Sequence, residues 1–306
     1  MIKDKPHPVT SRRIALGTAQ LGMTYGIANR SGRPSDVDVS GMIGAYIFAG
    51  YRWFDTATGY GESERVLGRV FAALGVQDDV HVVSKGVCGD GDHEGVWSQV
   101  TASLERLGLP RLAAWLLHDE NQLVNWSDFH ADEATRLRQE GLVESVGISV
   151  YHPAASLRAV EEFGFTSVQF PASPFDRRFL RLGVAERLVH GGAALNIRSI
   201  YLQGLGLMDV DTVPAGIPHA REAVHALSEF CREREFNRDQ FCLHYVMQRT
   251  AAYGARLVVG MENHAQLDRN IDLLNAAPIE PRHLDEWDAI WPLDLEPLVL
   301  PYRWKK

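Results

Sequence analysis

Cysteine is scarce in this chain: three in 306 residues, at Cys88, Cys231 and Cys242. They are too few and too scattered for a disulfide framework, and none forms the CxxC pair of a zinc site. A reducing compartment is therefore expected, and no metal site. Basic charge is also short, with 31 Lys and Arg against 39 Asp and Glu, a formal net charge of −8. That acid excess argues against nucleic acid or an anionic membrane face as partner and favours small molecules. No apolar run approaches the roughly eighteen residues that span a bilayer. The polar start, MIKDKPHPVTSRR, lacks the apolar core of a signal peptide, so the expected location is cytoplasmic. Low-complexity linkers, charge blocks and long self-similar repeats are missing as well, so one domain over residues 1–306 is the economical reading.

What the chain has is alternation. Short β-branched apolar runs recur between amphipathic stretches, the pattern of βαβ units whose parallel strands are covered on both faces. Strands are expected at Arg13–Leu16, Arg52–Asp55, Val80–Lys85, Ala113–His118, Ser145–Ser149, Ser167–Phe170, Ala194–Ser199 and Arg256–Gly260. Helices are expected at Asp38–Ala49 after a Ser35 cap, Ser63–Leu74, Val96–Leu107, Asp128–Glu140, Pro153–Phe163, Phe179–His190, His219–Met247 as two helices, and Ala265–Asn275. Eight strands are the number of an α/β (β/α)8 TIM barrel, and the chain length suits one. An open dinucleotide-binding sheet would need GxGxxG after its first strand, but Leu16-Gly17-Thr18-Ala19-Gln20-Leu21-Gly22 has the wrong glycine spacing.

In a barrel, chemistry gathers at the C-terminal strand ends. Those ends present Asp55, Lys85 and His118, with Tyr60 in the loop just beyond Asp55. Singly, an Asp there caps a helix, a Lys is solvated, and a His or Tyr packs with its polar tip satisfied. Together they form an acid–base set. A phenol with an ordinary pKa of about 10 donates its proton more readily beside a cation, which Lys85 supplies. Asp55 keeps the lysine charged, and His118 orients and polarises the reacting oxygen.

The run Asp55-Thr56-Ala57-Thr58-Gly59-Tyr60-Gly61-Glu62-Ser63-Glu64 resembles the D-T-A-x-x-Y-G-x-S-E signature of the aldo-keto reductase superfamily. Lys85 in Val82-Val83-Ser84-Lys85 and His118 in Trp115-Leu116-Leu117-His118 are similar to its other two catalytic contexts, in the same order. Further likeness runs through Gly141–Ser149, Val168–Phe170 and Val259–Gly260 to Asn270. The resemblance implies a barrel that binds NADPH or NADH and passes hydride to or from a small-molecule carbonyl, with Tyr60 as general acid or base.

By the same resemblance the cofactor would meet Thr18, Asp55, Ser149, Gln169, Arg198, Ser199, Gln203, Gly204, Gly260, Met261, Glu262, Asn263, Gln266 and Asn270. Val150 stands where the family carries an asparagine for the nicotinamide carboxamide, and Arg198 where an aromatic often stacks on the ring. Arg198 is open to two roles, stacking on the cofactor or pairing with a carboxylate of substrate or protein. Glu262 replaces a basic residue of NADPH-specific members, and a carboxylate repels a 2′-phosphate, which tips the choice towards NADH. His264 and Arg269 keep NADPH open. Met23, Tyr25, Cys88, Tyr151, Phe175 and Trp126 are candidate pocket walls. No long C-terminal loop is evident in Pro278–Lys306, so an open mouth for a sugar-like carbonyl is expected. A homo-oligomer is compatible with the sequence. Other readings are a cofactor-sensing regulatory subunit of aldo-keto-reductase type, and a barrel lyase with Lys85 as Schiff-base amine, which leaves Tyr60 without a task.

Overall fold

A computed structural model of the chain describes residues 13–29, 32–88, 95–181, 183–291 and 295–305. Most of the polar start read above therefore lies outside the described residues. Eight parallel strands close into a barrel in chain order: β1 (Ile14–Gly17), β2 (Trp53–Asp55), β3 (His81–Gly86), β4 (Leu112–Leu117), β5 (Val143–Ser149), β6 (Ser167–Pro171), β7 (Ala194–Arg198) and β8 (Arg256–Gly260). Each expected strand is present, shifted by at most two residues at either end.

Helices α1 (Asp36–Phe48), α2 (Ser63–Leu74), α3 (Val96–Leu107), α4 (Asp128–Gln139), α5 (Pro153–Glu161) and α6 (Val184–His190) follow the first six strands. The pair α7 (Ala220–Glu233) and α8 (Arg238–Arg249) follows β7, and α9 (His264–Asn275) follows β8. Local chemistry sets several of these ends. The Ser35 side chain accepts from the Asp38 backbone N–H and starts α1 at Asp36, two residues before the expected Asp38. The single helix expected over Phe179–His190 is instead a four-residue helix, Arg178–Arg181, and then α6, because Gly183 enters the left-handed region at φ 66°. A tenth helix, α10 (Pro281–Ile290), was not expected. Its Trp287 is fully buried and donates to the Pro174 carbonyl at 2.8 Å, fixing the C-terminal segment to the loop after β6.

Strand side chains alternate between the helices and the barrel interior. Phe54, Val82, Trp115, Ile148, Val168, Ile197 and Leu257 belong to the main apolar core. The intervening positions share the interior. There Val83, Ala114 and Leu116 cluster with Trp53, and Arg256 stacks on Trp53 while donating to Asn196 at 3.1 Å. Continuing that inward set towards the C-terminal ends brings Asp55, Lys85, Gln169 and Arg198 to one rim.

Candidate active site

Register carries the rim together: Gly17 pairs with Asp55, Asp55 with Val83, and Lys85 with Leu116. Lys85 Nζ donates to Asp55 Oδ1 at 2.6 Å and to the Thr56 carbonyl at 2.8 Å. Across the barrel, Gln169 Nε2 donates to Asp55 Oδ2 at 2.6 Å. All three side chains are buried, so this is a dry ion pair with both carboxylate oxygens engaged.

Tyr60 stands above this pair on a loop tied down at both ends. The Thr58 N–H donates to the Lys85 carbonyl at 2.8 Å, and the Tyr60 N–H to the Ala57 carbonyl at 3.1 Å. Lys85 Nζ lies 5.1 Å from the centre of the Tyr60 ring. The His118 ring meets that ring edge to face, with centroids 5.6 Å apart and planes at 77°. Gly22 crosses directly beneath, where a Cβ would fall 1.8 Å from the Tyr60 carbonyl oxygen, so only glycine fits. Thr18 joins this support: its hydroxyl donates to the Asp55 carbonyl at 2.9 Å and receives the Ser63 hydroxyl at 2.7 Å.

A cavity of about 630 Å³ opens from this rim, within the usual range of small-molecule sites. Its lining passes from Asp55 and Tyr60, past Arg198, Ser199, Gln203 and Gly204, to Gly260, Glu262, Asn263, Gln266 and Asn270 at the start of α9. The loop after β7 holds Ser199, Leu202 and Gln203 at positive φ, conformations that each cost on the order of 1–2 kcal/mol for a side-chain-bearing residue.

A model of the aldo/keto reductase family matches residues 13–292. The chain belongs to that family. An aldo-keto reductase of Mycolicibacterium smegmatis is 31% identical over 132 residues, which cover 42% of this chain and 46% of the relative. The 2,5-diketo-D-gluconic acid reductase B of a Corynebacterium species is 35% identical over 134 residues, 43% of this chain and 47% of the relative. The matched stretch thus spans less than half of either relative. Two solved structures share the fold over nearly the whole chain. The holo form of a Bacillus halodurans aldo-keto reductase has a TM-score of 0.74 at 17% identity, covering 94% of this chain and 95% of the other. The glycerol dehydrogenase of Gluconobacter oxydans scores 0.70 at 20% identity, covering 92% and 94%.

At this rim the electrostatics differ from the sequence expectation at one point. Lys85 was expected to acidify Tyr60. Instead burial, with Asp55 adding its charge, raises the Tyr60 phenol above its ordinary value, and Arg198 is the cation that pulls it down. Lys85 rests against the ring face while its short hydrogen bonds go to Asp55 and Thr56, and burial lowers its own pKa against the pull of Asp55. His118 is pushed down to about 3, first by burial and then by Lys85 and Arg198, so its imidazole is neutral at ordinary pH.

The cofactor residues divide into groups. Ser149 and Gln169 are buried beside the rim, and Gln169 Oε1 has no hydrogen-bond partner among the described residues, leaving an acceptor that suits a carboxamide N–H. The Met261 side chain is 1% exposed and packs in the apolar core, so of this residue the backbone is what is left to meet a ligand. Gln266 is also engaged, its Oε1 accepting from the Glu262 N–H at 2.7 Å. Asn263 caps α9 by accepting from the Gln266 N–H. Arg269, one of the two residues that keep a phosphate site open in the sequence, forms a fork to Asp239 at 2.7 and 3.0 Å.

Among the expected pocket walls, Tyr25 lines the cavity, but Phe175 packs against Trp287 and Trp291, Trp126 against Phe165, and Cys88 is buried. Sequence reasoning missed three contributors. Glu120 accepts from the Tyr151 and His152 backbone N–H groups at 3.0 Å each and contacts the His152 ring, pinning the loop after β5. Tyr302 returns from the C-terminus to meet Tyr151 edge to face at 5.1 Å, so the C-terminal segment does reach the mouth. Gly22 is the third. A polar residue outside a strand and an aromatic near the C-terminus carry no sequence signal of this kind; the Tyr60-Gly61 turn hinted that something crosses close to it.

Proposed function

We propose that this chain is an NAD(P)H-dependent carbonyl reductase in which Tyr60 donates the proton, Asp55, Lys85 and Gln169 hold the floor beneath it, and neutral His118 donates a hydrogen bond to the substrate oxygen. The observation that carries the proposal is the Asp55–Lys85–Gln169 cluster buried under a phenol at the wall of a cavity long enough to reach α9. A bound reduced nicotinamide supplies the hydride. Gln169 Oε1 and Ser149 orient its carboxamide, and the loop after β7 and the start of α9 receive the rest of the dinucleotide. As negative charge develops on the substrate oxygen, Tyr60 Oη releases its proton to it, and the dry surroundings strengthen that exchange. The chain works as a single barrel in the cytoplasm on this reading, and a small carbonyl compound is its substrate.

The raised phenol sets the pH dependence. Reduction uses the protonated form, which is fully present below the elevated pKa, so kcat/KM for reduction should stay level through neutral pH and fall only above about pH 10. Oxidation of the alcohol uses the phenolate and should climb with pH over the same range. Because His118 stays neutral down to about 3, no step should appear near the ordinary histidine value. Initial rates in both directions across pH check this; a reduction rate that falls on passing from about pH 6 to 8 would contradict it.

Glu262 and the engaged Arg269 favour NADH. Burial raises the Glu262 pKa, but its half-exposed carboxyl remains beside the adenosine end of the cavity, and Asp239 occupies the nearby guanidinium. KM for NADPH should exceed KM for NADH by about tenfold, and Glu262→Arg should reverse the order. A native preference for NADPH would defeat this assignment.

A further inference from the structure

Resting on that reading of the site, we infer that the carbonyl substrate carries a carboxylate and that Arg198 is its receptor. Two cations lie near Tyr60, Lys85 buried beneath it and Arg198 at the cavity wall, and they differ in one respect. Lys85 is paired with Asp55 at 2.6 Å, whereas Arg198 has no carboxylate partner among the described residues. Its hydrogen bonds are to neutral groups: Nη2 donates to the Val150 carbonyl at 3.0 Å and Nη1 to Ser199 Oγ at 3.4 Å, and the Tyr151 side chain is a further partner. The guanidinium lies 4.0 Å from the centre of the Tyr151 ring, and the groups facing it are the phenols of Tyr151, Tyr25 and Tyr60. A half-buried guanidinium whose hydrogen-bond and ring partners are all neutral, with the cation Lys85 also in range, keeps its full charge at the wall of the cavity.

Its direction identifies the ligand. The bond to Val150 turns the side chain from β7 towards the end of β5 and away from β8 and α9, where the adenosine end is read, while its charge still reaches the Tyr60 phenol. The anion that neutralises it therefore belongs to the reacting molecule rather than to the nucleotide's phosphates. Tyr151, pinned by Glu120 and backed by Tyr302, holds the guanidinium plane in place, and a planar fork of donors matches a carboxylate in two parallel hydrogen bonds. The substrate class is then an aldehydo- or keto-acid, with its carbonyl at Tyr60 and His118 and its carboxylate at Arg198.

Succinic semialdehyde and its methyl ester differ in this charge at similar size. The wild type should favour the acid in kcat/KM by about tenfold to a hundredfold, Arg198→Met should erase that ratio, and Arg198→Lys should restore part of it. Succinate should bind the wild type in calorimetry and fail to bind Arg198→Met, a readout that needs no turnover. Equal rates on acid and ester, or an Arg198→Met variant that loses both alike and keeps the ratio, would overturn the inference while leaving the reductase reading standing. Succinate binding lost with Arg198, in a protein that reduces no member of a broad aldehyde and ketone panel, would keep Arg198 as an anion site but overturn the reductase reading and with it the assignment of the anion to a carbonyl substrate. A preference for glyceraldehyde 3-phosphate over glyceraldehyde, without one for the acid, would make the anion a phosphate and overturn the carboxylate.

Discussion

Replacing Tyr60 by phenylalanine should lower kcat for carbonyl reduction by about 10²–10⁴-fold, the usual contribution of a positioned proton donor. The ring is kept, so its contacts with Lys85 and with His118 survive and the loop from Thr56 to Ser63 has no reason to move. What disappears is one hydroxyl. Nucleotide binding, followed by fluorescence, should therefore change little while the chemical step collapses. The lyase alternative predicts no such collapse, since a Schiff base on Lys85 does not use the phenol; a sensing subunit shares the unaltered binding but has negligible turnover from the start, so the substitution would have no rate to remove. A loss smaller than about tenfold would remove Tyr60 from the reaction.

The second large effect is on stability. Lys85→Met leaves the Asp55 carboxylate buried with Gln169 as its remaining side-chain donor, and breaking a buried pair from one side costs about 3–5 kcal/mol. Chemical denaturation should show that loss as a lower midpoint with an unchanged slope. Adding Asp55→Asn should recover much of it, because the uncompensated charge goes while an acceptor for Gln169 remains. Activity should not return in the double variant, since the groups beneath Tyr60 are no longer held. If Lys85→Met were as stable as the wild type, the pair would not be the buried anchor described above.

Much of this was legible from residues alone, for a physical reason in each case. Strand runs such as Leu112–Leu117 are apolar at every position because both faces are covered, and they alternate with helical stretches at barrel spacing. Asp55, Lys85 and His118 could be gathered because the C-terminal ends of parallel strands in a closed barrel share one rim. Illegible were the contacts that depend on which way a side chain leans once the barrel is closed. Gln169 reaches Asp55 across 114 positions of sequence, and no local pattern encodes that. Adjacency of strand ends points to Lys85 as the cation acting on Tyr60, whereas the cation that pulls the phenol down is Arg198 at the end of β7, on the opposite arc of the barrel. Met261 follows Gly260 in sequence yet turns into the core, and Tyr302 comes back to the mouth through the docking of α10, whose Trp287 anchor has no sequence signature. The split of Phe179–His190 needed the left-handed Gly183, a backbone choice that apolar spacing does not reveal.

The central claim is that Tyr60 hands a proton to the oxygen as hydride reaches the adjacent carbon. It is tested most directly by a single turnover with dihydronicotinamide deuterated at its transferable position, using succinic semialdehyde and analysing the product by mass spectrometry. The account predicts one deuterium at the former carbonyl carbon with wild type, and the same label appearing about 10²–10⁴-fold more slowly with Tyr60→Phe. Product without deuterium, or labelled product formed equally fast by both proteins, would contradict it.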